Sequence, residues 1–193
     1  TVNKLAEQNT NIKVSEENLN IVTVCRISFA HKGLDRVVNA FNKLKQKNIR
    51  HNLKWYVIGD GVDYSEMTQR VKEYNLEDTI FLLGAKTRPL PYVKMMDVFL
   101  LPSRYEGKPM AVTEAQMLGI PPVVTNYASA AGQIKSQIDG LIVENTDDAV
   151  YDALRYLIQN QNEVIKWKNN LKHENFDNMQ EIDKIYRIIE ENK

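Results

Sequence analysis

The sequence predicts an α/β fold: a Rossmann-like doubly wound parallel sheet of about six strands with helices on both faces. Two observations predict it. Short apolar, β-branched runs alternate with amphipathic stretches of helical period along most of the chain, the signature of βαβ units. The short runs are also apolar at nearly every position, as strands covered on both faces require.

The elements follow in order. "LNIVTVCRI" (Leu19 to Ile27) reads as the first strand, and "KGLDRVVNAFNKLKQKN" as a helix with Leu34, Val37, Val38, Phe41 and Leu44 on one face. "LKWYVIGDG" is a strand ending in glycines, and "DYSEMTQRVKEYNL" a polar amphipathic helix with Asp63 or Ser65 as its cap. "TIFLLG" is a strand, "LPYVKMM" a short helix and "DVFLLPS" the fourth strand. The helix behind Pro109 comes next, then strands in "PPVVTN" and "GLIVE" and a helix in "DDAVYDALRYLIQNQ". Helical stretches are expected from about Glu163 and from about Asp177. The last carries Ile182, Ile185, Tyr186 and Ile189 on one face, which is expected to be poorly covered in this chain. Residues 1–18 are polar and Asn-rich and read as a linker or frayed start, leaving 19–193 as the folded domain.

Composition excludes several classes. The chain has 193 residues, 25 Lys plus Arg against 25 Asp plus Glu, one cysteine and three histidines. A neutral balance points to no nucleic acid, and any cationic site must be local. No apolar run approaches the ~20 residues of a membrane span. Cys25 alone forms no internal disulfide, fits a cytoplasmic setting and reads as an inert core thiol within an apolar strand. His31, His51 and His173 are too scattered for a metal site, and His31 reads as solvated.

In such sheets ligands bind at the carboxyl ends of the strands. Four strand ends therefore matter: Arg26 to Gly33, Gly59 to Gly61, Gly84 to Lys86, and Ser103 to Glu114. In "PSRYEGKPMAVTEAQMLG", Pro109 suits a helix start, and the free amides of Met110, Ala111 and Val112 then form an anion site. Glu106 sits beside that site and Glu114 a turn into the helix, an arrangement suited to a ligand that is half anion and half polyol. Arg26 and Lys32 flank the first strand-to-helix turn, where two cations would neutralise a diphosphate. Arg26, within or just after an apolar strand, needs a partner there. Gly33 lets its helix start close to the ligand. Gly59 and Gly61 permit close backbone approach, although an ordinary turn explains them equally well. Neither GxGxxG nor GxxxxGK[ST] occurs, against a dinucleotide enzyme and a P-loop.

Taken in order, "R-x5-KG" (Arg26, Lys32, Gly33), "IGDG", "FLLG", "DVFLLPSRYEG", "E-x7-E" (Glu106, Glu114), "EA-x2-LG-x-P-x-V" and "DGLIVE" form a specific series. The chain resembles the C-terminal, donor-binding half of a GT-B retaining glycosyltransferase, from the large family that includes sucrose, mannosyl and capsule enzymes. "EGKP" resembles bacterial capsule and exopolysaccharide members.

The resemblance implies a UDP- or GDP-linked sugar as donor substrate, with no cofactor and no metal. Arg26 and Lys32 would hold the diphosphate and stabilise the leaving nucleotide's charge. Glu106 would meet the donor sugar's hydroxyls or distal phosphate, and Glu114 the ribose. Ser103, Gly107 and the amides of Met110, Ala111 and Val112 would line phosphate and sugar. Gly59 and Gly61 would line the crevice, and Gly84, Ala85 and Lys86 the base. The family retains anomeric configuration, usually drawn as front-side attack by the acceptor. The chain has no counterpart of the amino-terminal acceptor domain, so it is expected to be an excised fragment or a module completed by another chain, binding nucleotide but inactive alone. The whole enzyme is expected in the cytoplasm, at the inner face of the cell membrane. Gln133 stands where the family often has an acid. Two alternatives stay open: a non-catalytic nucleotide-binding module, and a GT-B relative such as a sugar epimerase.

Overall fold

A computed structural model of the protein describes residues 2–7, 10–49 and 51–173. Six strands form one parallel sheet: β1 (Leu19–Val24), β2 (Leu53–Ile58), β3 (Ile80–Leu82), β4 (Val98–Leu101), β5 (Pro122–Thr125) and β6 (Leu141–Val143). Their order is β3-β2-β1-β4-β5-β6, with every neighbouring pair parallel. Sequence order reverses between β1 and β4, which makes their carboxyl ends the topological switch point.

Strand residues alternate between two cores, as the pleat dictates. Ile21, Trp55, Val57, Val98 and Leu100 face a core built with α3 (Leu34–Gln46), α4 (Tyr64–Glu73), α8 (Asp147–Gln159) and α9 (Gln161–Lys172). Val22, Tyr56, Ile58, Phe99 and Leu101 face the other, built with α5 (Leu90–Lys94) and α6 (Met110–Met117). This is the expected doubly wound arrangement. Inside it, Thr23 donates to the Leu100 carbonyl at 2.6 Å and accepts from the Trp55 indole at 2.9 Å, so its buried hydroxyl is satisfied. Pro122, which has no amide to donate, stands at the first position of β5, where the missing ladder bond costs least.

The five residues expected on the buried face of α3 are all inaccessible, and Arg36 joins them. β1 ends at Val24, short of Ile27, but the amides of Cys25 and Ile27 still donate to Ile58 and Asp60 of the neighbouring strand end. Two short helical turns were not anticipated, α2 (Phe29–Lys32) and α7 (Ala130–Gln133). A third, α1 (Val2–Leu5), lies in the segment expected as a linker, and Val2 and Ala6 are buried against Leu90. Asp63 occupies the cap position of α4, yet its carboxylate accepts from the Phe29 amide at 2.6 Å and so caps α2 instead. The helix expected from Asp177, with Ile182, Ile185, Tyr186 and Ile189, lies outside the described residues.

Candidate functional site

The switch point brings the β1 and β4 loops together. Lys32, the last residue of α2, places its ammonium 2.6 Å from Glu106 Oε1. The same oxygen accepts from the Ser103 hydroxyl at 2.7 Å. The Lys32 side chain is 25% exposed and that of Glu106 9%, so this pair is shielded more than a surface salt bridge. Ser103 is completely buried, which leaves it no surface to offer a substrate. Its assignment to the lining is therefore corrected: it supports Glu106. Its own carbonyl accepts from Thr125 at 2.5 Å, tying the loop to β5.

Arg26 departs from expectation in the other direction. It follows β1, is exposed, and has no ion pair among the described residues. Its exposure removes the need for a partner that a place inside the strand would have created. Cys25 beside it is half-buried at the strand end rather than inside the strand. Burial pushes its thiol up to about 12, although the Lys32 ammonium pulls the other way.

The amide cradle at α6 is narrower than expected. Pro109 takes the cap position with extended backbone, and the Val112 amide donates to the Pro109 carbonyl at 3.2 Å. The Val112 side chain is buried in the core. The amides of Met110 and Ala111 have no backbone acceptor among the described residues, so these two present the positive end of the helix. Glu114 lies one turn further on, and burial raises its carboxyl above the ordinary carboxylate range. Gln133 braces this helix start: its amide donates to the Thr113 hydroxyl at 3.2 Å and to the Pro109 carbonyl at 3.3 Å, while its Oε1 accepts from Tyr127 at 3.1 Å. Ser129 donates to the Gly107 carbonyl and holds the open end of the loop. Burial and the Glu106 carboxylate both raise the Tyr127 hydroxyl, which keeps it a protonated donor.

Three glycines serve the protein's own packing. A Cβ on Gly59 would stand 1.9 Å from the Cys25 carbonyl, and one on Gly61 2.1 Å from that of Ile27. These residues let the β1 and β2 loops close on each other, as the ordinary turn that the sequence equally allowed; the space a side chain would take is filled by backbone. Gly33 is similar: its Cβ would meet the Pro102 carbonyl at 2.3 Å. Gly84 sits with left-handed backbone and open space around it, its carbonyl accepting from the Gly59 amide at 3.0 Å. Ala85 is exposed beside it, and the Lys86 ammonium lies 5.8 Å from the Tyr92 ring centroid.

Sequence reasoning missed the residues that join these loops. Arg104 forks onto Asp35 at 2.7 and 2.9 Å, and its carbonyl accepts from Asn145 at 3.0 Å. Arg36 donates to Asn145 at 2.6 Å; its Nε lies 2.9 Å from Asp147, an ion pair not aligned for a hydrogen bond. The available signal was weak: Arg104 stands inside the quoted run from Asp97 to Gly107 and Asp35 two residues after Gly33, with no spacing that pairs them. A separate cavity of about 1030 Å³ opens at the amino ends of the strands, between Asn20, Asp97 and Lys168. It lies at the wrong end of a doubly wound sheet for the expected ligand.

The comparisons agree with this architecture. Over 111 residues the chain is 32% identical to the UDP-Gal:alpha-D-GlcNAc-diphosphoundecaprenol alpha-1,3-galactosyltransferase of Escherichia coli, covering 56% of this chain and 29% of that protein. Over 108 residues it is 26% identical to the amylovoran biosynthesis glycosyltransferase AmsD of Erwinia amylovora, covering 55% of this chain and 30% of that protein. The chain thus spans less than a third of either relative. Among solved structures, TarM superposes with a TM-score of 0.72 at 18% identity, over 93% of this chain and 36% of TarM. Anabaena HepE in complex with UDP superposes at 0.69 and 17% identity, over 80% of this chain and 43% of HepE. These structures share the fold, and this chain superposes on less than half of either one. The family profile described as "Glycosyl transferases group 1" matches residues 6–174, and the chain belongs to that family.

Proposed function

We propose that this chain is the donor-binding domain of a retaining glycosyltransferase that builds bacterial surface polysaccharide. Its ligand is a nucleoside-diphosphate sugar. The observation that carries the reading is the Lys32–Glu106 pair at the switch point, beside the open amides of Met110 and Ala111.

Each group has a task suited to its surroundings. Lys32 and the two amides take the diphosphate, and Arg26, free in solvent, closes over it from the rim. As the glycosidic bond breaks, charge grows on the departing diphosphate, and these fixed donors stabilise it without a metal. Glu106 commits Oε1 to Lys32 and Ser103, leaving Oε2 to accept from sugar hydroxyls. Glu114 accepts from the ribose, and Gly84, Ala85 and Lys86 border the base. Uridine is favoured: the E. coli relative is named for UDP-Gal, and HepE was solved with UDP. The acceptor is held by a second domain, consistent with the share of the relatives that this chain spans.

Calorimetry on the chain with UDP, GDP, UDP-glucose and UDP-galactose tests this. UDP is expected to bind in preference to GDP, and one UDP-sugar more tightly than UDP. Glu106→Ala is expected to leave UDP affinity nearly unchanged while abolishing the gain from the sugar. Glu114→Ala is expected to weaken both ligands alike. Equal effects of the two substitutions on both ligands would refute the division of roles, and absence of any nucleotide binding would refute the donor reading. A sugar epimerase is distinguished on the whole enzyme, where labelled donor would return as an altered nucleotide sugar instead of being transferred.

A further inference from the structure

We propose that Arg104 is a positioning residue for this site: its fork onto Asp35 ties the loop bearing Glu106 to the turn bearing Lys32. The inference rests on the donor-site reading above and adds a residue that touches neither phosphate nor sugar. Arg104 lies two positions before Glu106, and Asp35 three positions after Lys32. The guanidinium donates to Asp35 Oδ1 and Oδ2 at 2.7 and 2.9 Å and also to the Phe29 carbonyl of α2. The backbone repeats the link, since the amides of Arg104 and Tyr105 donate to the His31 carbonyl at 2.8 and 3.3 Å. On the far side Asn145 donates to the Arg104 carbonyl and accepts from Arg36, anchoring the loop to the start of α8.

The consequence is geometric. Lys32 and Glu106 belong to loops from different strands, and a hydrogen bond of 2.6 Å between them demands that the loops keep register. Arg104 is 25% exposed and Asp35 16%, so the fork is partly shielded and its planar, bidentate geometry resists sliding. Lysine in its place would keep the charge but offer a single flexible point contact. The site therefore depends on an arginine whose guanidinium is committed to Asp35 and the Phe29 carbonyl.

A double-mutant cycle on the 193-residue chain, read by calorimetry with UDP, tests this. Arg104→Lys is expected to weaken UDP about tenfold in the native background and less than about twofold when Lys32→Ala is already present, because Arg104 acts through Lys32. Asp35→Asn, which keeps the arginine but removes half the fork's charge, is expected to reproduce the pattern and replaces Arg104→Lys if that variant does not fold. Hydrogen exchange supplies a readout independent of ligand: the Tyr105 amide should lose protection in either variant while the Leu100 amide of β4 keeps its own. An equal loss of UDP affinity in both backgrounds, or unchanged Tyr105 exchange, overturns the clamp. If the unsubstituted chain binds no UDP, the donor reading falls and takes the clamp's role in the site with it. If it binds UDP and Arg104→Lys binds equally well, only the clamp falls.

Discussion

Lys32 shows how one side chain serves both the scaffold and the ligand. Its ammonium donates one N–H to Glu106 Oε1 and is 25% exposed, so its other N–H groups take the diphosphate while the Glu106 contact keeps the loops in register. Lys32→Ala removes the diphosphate contact and also strands a carboxylate that is 9% exposed. UDP affinity is expected to fall about ten- to a hundredfold in calorimetry, from a contact of about 1.5–3 kcal/mol. Arg26→Ala should fall in the same range at low salt and recover more of its loss as salt rises, since its exposed partner interaction is screened. Cys25 illustrates the opposite case, a chemically capable group silenced by its setting. A thiol with a value near 12 holds almost no thiolate at pH 8, so a thiol reagent should modify it only as fast as the protein opens. Rapid modification of the native protein at pH 8 would contradict this.

At the scale of elements, the loops after β1 and β2 are joined by close backbone contacts, with the Asp63 carboxylate on the Phe29 amide as a side-chain link beside them. Gly59 has a φ of 151° and no room for a methyl group, with Cys25 oxygen 1.9 Å from the would-be Cβ. Gly59→Ala must push the β1 loop away and is expected to cost at least about 2 kcal/mol in urea unfolding. Gly107 is flanked by open space, so Gly107→Ala should stay within about 0.5 kcal/mol. A Gly59→Ala variant as stable as the native protein would show that these loops have slack. The displaced β1 loop also carries Lys32, so the same substitution should weaken UDP binding beyond what its stability loss explains.

For the whole molecule, the half-buried Glu114 couples stability to pH. Burial raises its folded-state value above the unfolded one, so the folded protein holds the proton more tightly. The desolvation cost of the carboxylate is absent below the ordinary glutamate value, near 4.3, and builds as pH rises from there through the raised value. Glu114→Gln should therefore melt higher than the native protein at pH 7.5, with the two melting curves converging at pH 4. A constant difference across that range would exclude Glu114 as the titrating group. The same substitution should weaken UDP, since an amide accepts less strongly from ribose hydroxyls than a carboxylate does.

The sequence by itself determined the sheet and its general use. Apolar runs such as "IVTV" and "WYVI" have no stable place other than the middle of a covered parallel sheet, and the helix period of Leu34 to Leu44 leaves one face to bury. Loop chemistry at four strand ends then pointed to a diphosphate and a polyol. Pairing across loops was decided only by tertiary structure. Lys32 and Glu106 stand 74 residues apart, and Arg104 and Asp35 69, separations at which no local spacing rule operates. The glycines mark the same limit. Sequence shows that a side chain is missing, while the fold decides whether the vacated space admits a ligand or, as at Gly59 and Gly61, the carbonyl of a neighbouring loop. Burial acts the same way on Ser103, which adjoins the site in sequence but is sealed beneath Glu106 by the packing of β4 against β5.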